Sequence, residues 1–559
     1  MVMPTYQPVV RAEQGPFSGA ALVGTNTILL GWDIDPTYDR KGLLGFAVRR
    51  ASYDPDTGEM KRMIWLSGQK RFKDQDTEGP EVSSAKAPFQ RFRWSDYTVR
   101  ANYAYQYEIF PVLEHGQSTR LLDPVRLWAR PSLYDQDHVG VYVNRGVTSA
   151  HAYLTEFHNV EPSKVPNGAA YRWLSRSLRE SLLEFIAAAG QGDGLHVAIY
   201  EFHDPEIASA LKEALNRGVD VKIVYHKGQS PNDTAEESEH ILSQAGLAQP
   251  AISIPRTWPK ISHNKFVVRL TGGSPTHLWV GTTNFTEAGF YLQTNLALTF
   301  EQPSVADAYE QYFQILASNL PTSRRENPPR TPEQIQALSL SNITYHPTRS
   351  LSGVYFSPVR RDHIVDAAIE LTREAKSVIL LSTPFGMDAR LKQALGQNPE
   401  AVVEYGLANS TATKSIEGLS RKNTRFFTPT RLETYMGKSW DARAFGKHKI
   451  HTKLMVIDPW GDTPAVLVGS ANFSRASCRE NDENAFLIKG DSRLAAIMAT
   501  EFMRMFDHYK SRAFLNTIYA AVESPDRYLE EAEAWSNIYF NPSSRSYKFR
   551  DRQVFSGHE

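Results

Sequence analysis

Cysteine is nearly absent from this chain: Cys478 is the single one among 559 residues. One thiol excludes an internal disulfide framework and any multi-cysteine zinc site. Long apolar runs are lacking too, since none reaches the roughly 18 residues that a membrane span needs. The opening stretch MVMPTYQPVVRAEQGPFSG carries no apolar h-region of the kind a secretory signal has. Together these absences predict a soluble, cytoplasmic protein without a transmembrane segment. An excess of charge of either sign is also missing, 62 Lys plus Arg balancing 62 Asp plus Glu. No global field therefore argues for nucleic acid or for an anionic membrane, although local basic clusters can serve either.

With 22% charged and 41% hydrophobic residues, the chain has the composition of ordinary soluble globular proteins. Its length is too great for one core, so two to four domains or lobes are expected. Residues 1–132 read as an all-β accessory domain. ALVGTNTILLGWDID, LLGFAVRRAS and MIWLSG are short apolar runs split by Gly, Asp and Pro turn signals. YTVRANYAYQYEIFPVLE then alternates Tyr103, Tyr105, Tyr107 and Ile109 on one face, the mark of a half-buried antiparallel strand. The expected form is a small sandwich, and the alternating-tyrosine strand resembles one in fibronectin type III domains.

From about residue 135 strands alternate with helices, and the pattern occurs twice. GVYV (140–143), WLSRSLRESLLEFIAAAG, HVAIYEF, IASALKEALNRG and VDVKIVYH make the first copy. GVYF (353–356), HIVDAAIELTREA, SVILLSTPF, MDARLKQALG and AVVEYGLA make the second. Two lobes follow, at 133–330 and 331–559, each an α/β unit with a mixed, mostly parallel sheet. The Pro- and Arg-rich LPTSRRENPPRTPEQ (320–334) reads as their connector, and PSSRSYKFRDRQVFSGHE as a polar C-terminal tail.

Each copy ends in a His-x-Lys strand: HNKFVVRLTGGSPTHLWVGTTNFT at 263–286 and HTKLMVIDPWGDTPAVLVGSANFS at 451–474. A period of two puts His263 with Lys265, and His451 with Lys453, on one strand face. His451 follows His263 by 188 residues, and 21 residues separate each His from its Asn, Asn284 or Asn472. Taken singly, a strand-end His is a hydrogen-bonded structural residue and its Lys neighbour a solvated cation. Two copies at identical spacing make two His, two Lys and two Asn an anion site on a pseudo-twofold axis. Such a set suits a phosphodiester. Lysines and asparagines donate to the non-bridging oxygens. One neutral imidazole attacks phosphorus, and the other, protonated, serves the leaving oxygen and then water. No metal or cofactor is called for, and no His-Glu-x-x-His or Cys/His cluster is present to hold a metal.

HTKLMVID followed by GSANFS resembles the HxKxxxxD…GSxN signature of the phospholipase D superfamily, over residues of about 135 to 515. The resemblance implies two α/β lobes with the site between them and a phosphohistidine formed without metal. It carries His263, Lys265 and Asn284 over in the first half, and His451, Lys453, Asp458, Ser470 and Asn472 in the second. The first half departs from the pattern, with Leu270 in place of the Asp and Thr282 in place of Ser470. Family members often carry a Glu on the next strand that orients an imidazole. Glu483 fits that role, and Thr294 is taken as its counterpart. His263 is assigned as nucleophile and His451 as acid.

Substrate is less legible. The Asn-Phe-Thr/Ser turns resemble those of the superfamily's nucleases, and KHKIHTK adds Lys447 and Lys449 beside the second motif, as suits a polyanion. KHKIHTK reads equally as a solvated loop before a strand. The balanced charge and two lobes in one long chain suit a phospholipase D that cleaves or transfers phospholipid headgroups. A non-catalytic binding protein is the reading from another class. The β-domain is expected to meet a protein partner, to cover the cleft mouth, or only to stabilise the first lobe.

Overall fold

Apolar alternation builds the N-terminal region as two packed sheets. The computed structural model describes residues 3–73, 75, 81–115, 118–146, 151–228, 233–318, 331–338, 343–346, 349–419, 421, 423–429, 449–520, 528–544 and 546–557. One sheet holds Val9–Gln14, Phe17–Val23, Ile28–Ile34 and Arg93–Asp96. The other is built around Leu43–Tyr53 and Ala104–His115. Trp32 and Leu30 from the first meet Phe46, Val48, Tyr105, Tyr107 and Ile109 from the second in one core.

The two lobes share one sheet order, strand for strand. In space the first runs Asp135–Gln136, Val139–Val143, Leu296–Phe300, Ser274–Gly281, Lys265–Thr271, Gly194–Ile199, Asp220–His226, Ser253–Arg256. The second runs Ile343–His346, Arg349–Ser357, Asn481–Lys489, Ala465–Gly469, Leu454–Ile457, Val378–Ser382, Val403–Leu407, Thr424–Phe427. The sheets are mixed, but the expectation of mostly parallel pairing needs correcting. Each has two parallel neighbour pairs and five antiparallel ones. Helix crossovers join only the parallel strands. The His-x-Lys strand turns directly into its neighbour, and a tight turn forces antiparallel return.

Helices Pro303–Ser318 and Ser492–Ala520 contribute the apolar residues that unite the lobes. Tyr309, Tyr312 and Phe313, with Met498, Phe502 and Met505, share one core with Val268, Leu298, Val456 and Val468. Outer faces are covered by Leu178–Ala187 and Pro205–Asn216 in one lobe, and by His363–Glu374 and Ala389–Gln397 in the other. Among the described residues no helix is long and apolar enough to cross a membrane.

Two local expectations change. WLSRSLRESLLEFIAAAG is not one helix but two, Ala169–Ser175 and Leu178–Ala187, broken where Arg176 and Ser177 take φ of 48° and 70°. The break lets buried Arg176 reach the Glu501 carboxylate at 2.5 Å and the Val143 carbonyl at 2.8 Å. The C-terminal segment is docked rather than a loose tail. Helix Lys548–Phe555 buries Asp551, Arg552, Val554 and Phe555. Most of the connector, 320–330, lies outside the described residues.

Candidate active site

The segment before each histidine crosses to the other lobe. Ile261 and Ser262 pair in parallel with Asn481 and Asp482, and the His263 amide donates to the Asp482 carbonyl at 2.8 Å. In the mirror arrangement Ile450 bridges Thr294, and the His451 amide donates to the Thr294 carbonyl at 3.2 Å. Each histidine is thus held by the backbone of the opposite lobe, and their ring centroids come within 6.3 Å.

Side chains repeat the exchange. His263 Nδ1 meets the Glu483 carboxylate at 2.7 Å, and His451 Nδ1 meets Asn295 Oδ1 at 2.9 Å. Asn295 donates its own amide to the Gly289 carbonyl at 2.9 Å, which turns its oxygen toward His451. Both Nδ1 atoms therefore carry the proton, leaving each Nε2 as the basic nitrogen. The counterpart of Glu483 is Asn295, 188 residues earlier, and not Thr294. Thr294 matches Asp482 and holds the second segment through its carbonyl, its hydroxyl also accepting from the His451 amide at 3.4 Å. Superimposing NDENAFLI on QTNLALTF residue by residue already gives this alignment.

The Gly-Ser/Thr turns explain themselves. A Cβ on Gly469 would stand 2.3 Å from the Asn484 carbonyl oxygen, and one on Gly281 would stand 2.2 Å from that of Leu296. Only glycine allows that approach. The next residue then locks the orienting group. Ser470 donates to Glu483 at 2.8 Å, and Thr282 donates to Asn295 at 2.8 Å. Ser477 holds the second Glu483 oxygen at 3.1 Å. His226 and Asn409 prepare the incoming segments, His226 Nδ1 accepting from the Ser262 amide at 3.2 Å and Asn409 Oδ1 from the Ile450 amide at 3.0 Å.

Lys265 and Lys453 are buried, each donating to the carbonyl of its own histidine at 2.6 and 2.8 Å. Tyr200 lies 5.1 Å from the Lys265 ammonium, and Phe385 lies 5.3 Å from that of Lys453. Burial dominates the electrostatics. It lowers Lys265 to about 7, against a partial opposing pull from Glu483 and Glu201. It takes Lys453 well below its usual range, helped by the neighbouring Lys265 charge. Both imidazoles lie well below 6.5 through desolvation and the two lysines, and desolvation raises Glu483 to about 7. Burial thus holds these groups away from their ordinary ionisation, with the Glu483 and Glu201 carboxylates opposing the two lysines.

Asn284 and Asn472 occupy matching turns, and the Asn284 amide donates to the Glu201 carboxylate. Asp458 sits apart from the imidazoles at the far end of the strand, accepting from the Lys376, Ser377 and Val378 amides and the Ser377 hydroxyl, each at 2.8 Å. At its counterpart Leu270 packs in the core over Gly194. The Lys449 carbonyl accepts from Thr294 at 2.9 Å. Lys447 lies outside the described residues. Sequence reading missed Asn295, Glu201, Tyr200, Phe385, His226 and Asn409, of which only Asn295 is marked by the repeat.

Two duplicated lobes joined at a shared core, with the paired His-x-Lys strands meeting between them, are the architecture of a two-lobed phosphodiester-acting enzyme. The chain belongs to the phospholipase D superfamily: the model for the cardiolipin synthase, PLD-like domain matches residues 182–317 and again 368–506. Comparison with curated protein sequences finds no match. Among solved structures, the chain is similar to phosphatidylserine synthase of Haemophilus influenzae Rd KW20, at 13% identity, 65% of this chain, 91% of that one and a TM-score of 0.45. It is similar to Nuc of Salmonella typhimurium, a phospholipase D family member, at 24% identity, 25% and 85% coverage and a TM-score of 0.21. Yeast tyrosyl-DNA phosphodiesterase follows at 11% identity, 56% and 88% coverage and a TM-score of 0.33.

Proposed function

We propose that the protein cleaves a phosphodiester through a covalent phosphohistidine, without a metal ion, with nucleic acid as substrate. The observation that carries the mechanism is the crossed pair, His263 on Glu483 and His451 on Asn295, with the rings 6.3 Å apart over two buried lysines. The carboxylate partner marks His263 as nucleophile, because it stabilises the positive charge that develops as its imidazole bonds phosphorus. Nε2 of His263 attacks, forming the P–N bond as the P–O bond to the leaving alcohol breaks. The leaving oxygen takes a proton from Nε2 of His451. That nitrogen then removes a proton from water, whose oxygen displaces His263 and breaks the P–N bond. An alcohol in place of water gives transfer. Lys265, Lys453, Asn284 and Asn472 hold the non-bridging oxygens. In the empty site burial and the two lysine charges keep His451 neutral; an entering phosphate anion offsets those charges, and His451 takes from solvent the Nε2 proton that it passes to the leaving oxygen.

Nucleic acid is supported by the Asn-Phe-Thr/Ser turns, by Lys447 and Lys449, and by Phe385, whose 41% exposed ring offers a stacking surface. Phospholipid is the second reading, favoured by the cardiolipin synthase description of the matching family model. Single-stranded DNA, RNA and phosphatidylcholine vesicles, offered separately in EDTA, discriminate them. One is expected to turn over, and His263→Ala or His451→Ala is expected to lower that rate roughly 10³-fold or more. With a p-nitrophenyl ester, which needs no acid, His451→Ala still forms an acid-labile phosphoenzyme and His263→Ala forms none. Loss of turnover in EDTA, or binding without turnover of any substrate, overturns the proposal.

A further inference from the structure

Glu201 is a carboxylate in a pocket otherwise built for an anion. It lies two residues past strand Gly194–Ile199, where its carbonyl accepts from the Phe285 amide at 3.0 Å and so fixes it beside the Asn284 turn. The Asn284 amide donates to its carboxylate. Among the described residues no further donor meets that carboxylate, which is partly exposed, unlike the fully buried Glu483. A negative charge there repels a phosphate held by the lysines, and a site evolved to grip phosphate alone gains nothing from it.

Among the described residues the second lobe has no such group at the matching position. Ala198 faces Phe266 and Ser382 faces Leu454, and those partners are 188 residues apart, so three residues on, Glu201 corresponds to Phe385. Phe385 is 41% exposed, with its ring 5.8 Å from that of His451. A carboxylate therefore borders one flank of the cleft and an aromatic ring the other.

Resting on the phosphodiester reading above, we infer that Glu201 determines specificity by accepting a hydrogen bond from an ammonium or hydroxyl group carried by one of the two alcohols that the phosphate joins. A flank bearing only hydrocarbon gains no such bond there. The same chemistry is offered by an aminoalcohol, a glycerol or a sugar hydroxyl next to the phosphate. The acidic partner is in both cases Glu201, and the two kinds of donor are separable by experiment.

Calorimetric binding of three small phosphates to the full chain tests this: phosphoethanolamine, glycerol 1-phosphate and propyl phosphate. Wild type is expected to bind at least one of the first two about tenfold more tightly than propyl phosphate, the size of one charge-assisted hydrogen bond. Whether the ammonium or the hydroxyl compound gains names the donor. Glu201→Gln is expected to bring that ratio close to one. A Glu201 that only steadies Asn284 would weaken all three ligands alike, and an unchanged ratio overturns the inference. Equal affinities in wild type also overturn it. Turnover of bis(p-nitrophenyl) phosphate in EDTA by wild type is read in parallel and reports on the phosphodiester reading alone, because the binding ratios do not depend on it.

Discussion

At the scale of single residues, the site gathers ionisable groups whose burial brings unlike acids to similar strength. Glu483 rises to about 7 and Lys265 falls to about 7, while both imidazoles stay neutral below their usual range. The active form of the free enzyme needs the Glu483 carboxylate on His263 and the charged Lys265 together. Protonation of the His263–Glu483 pair removes the nucleophile on the acid side, and deprotonation of Lys265 removes an anion donor on the alkaline side. The dependence of kcat/KM on pH is therefore expected to be a narrow bell centred near 7, its limbs belonging to coupled groups. A bound phosphate stabilises the ammonium, so the alkaline limb of kcat lies at higher pH than that of kcat/KM. Lys265→Arg keeps its charge throughout and is expected to abolish the alkaline limb, and a limb unmoved in this variant would assign it elsewhere. The principal groups of this site were legible because the repeat marks them twice, His263 with His451 and Lys265 with Lys453. Glu201 and Phe385 were not, since they stand at matching positions with unlike chemistry. Periodicity finds what two halves share and is blind to what sets them apart.

At the scale of elements, Asp458 separates what the motif holds in place from what reacts. The residue adopts φ of 44° and closes four hydrogen bonds around the start of strand Val378–Ser382. The first lobe makes the same junction from the opposite side. There Asp193, just before strand Gly194–Ile199, accepts from the Gly190 amide at 2.9 Å and, across the hairpin, from the Gly272 amide at 3.1 Å. Leu270 can thus replace the aspartate without undoing the strand pair. Asp458→Asn tolerates the left-handed backbone but loses part of this clamp. It is expected to cost about 2 kcal/mol in denaturant unfolding and to speed amide exchange at 376–378. A phosphoenzyme should still form on a p-nitrophenyl ester, and its loss with unchanged stability would give Asp458 a chemical part. The strands and helices of both lobes were readable from local pattern. The dominance of antiparallel pairing was not, because strand direction depends on the turn that follows each His-x-Lys strand. Nor was the break at Arg176, where a buried pairing with Glu501 overrides a continuous helical periodicity.

Across the whole molecule, helices Ser492–Ala520, Ala534–Phe540 and Lys548–Phe555 close the chain back onto its first domain. Arg93 of the sandwich grips Asp507 at 2.8 and 2.9 Å and reaches Asp551 at 3.2 Å, and Arg552 pairs with Asp33. Trp535 donates to the Leu43 carbonyl at 2.9 Å, and Trp535, Tyr539 and Phe540 pack around Phe92. The polar composition of the C-terminal segment hid this, because Asp551 and Arg552 are buried in pairs with Arg93 and Asp33 rather than solvated. Gly31 is where the contact is closest: a Cβ there would lie 1.6 Å from the Phe555 carbonyl oxygen. Gly31→Ala therefore has to push helix Lys548–Phe555 off the sandwich. With the aromatic anchors loosened, the loss is expected to be on the order of 3 kcal/mol, the burial of one or two such side chains. A lowered melting temperature and new tryptic cleavage at Lys548, Arg550 or Arg552 would show it. None of the hydrogen-bond partners named for His263 and His451 comes from the sandwich or from this helix. Turnover per folded molecule should consequently hold below the new melting temperature. A loss of turnover in protein that remains folded would mean that the closure of the chain, and not the two lobes alone, sets the spacing of the histidines.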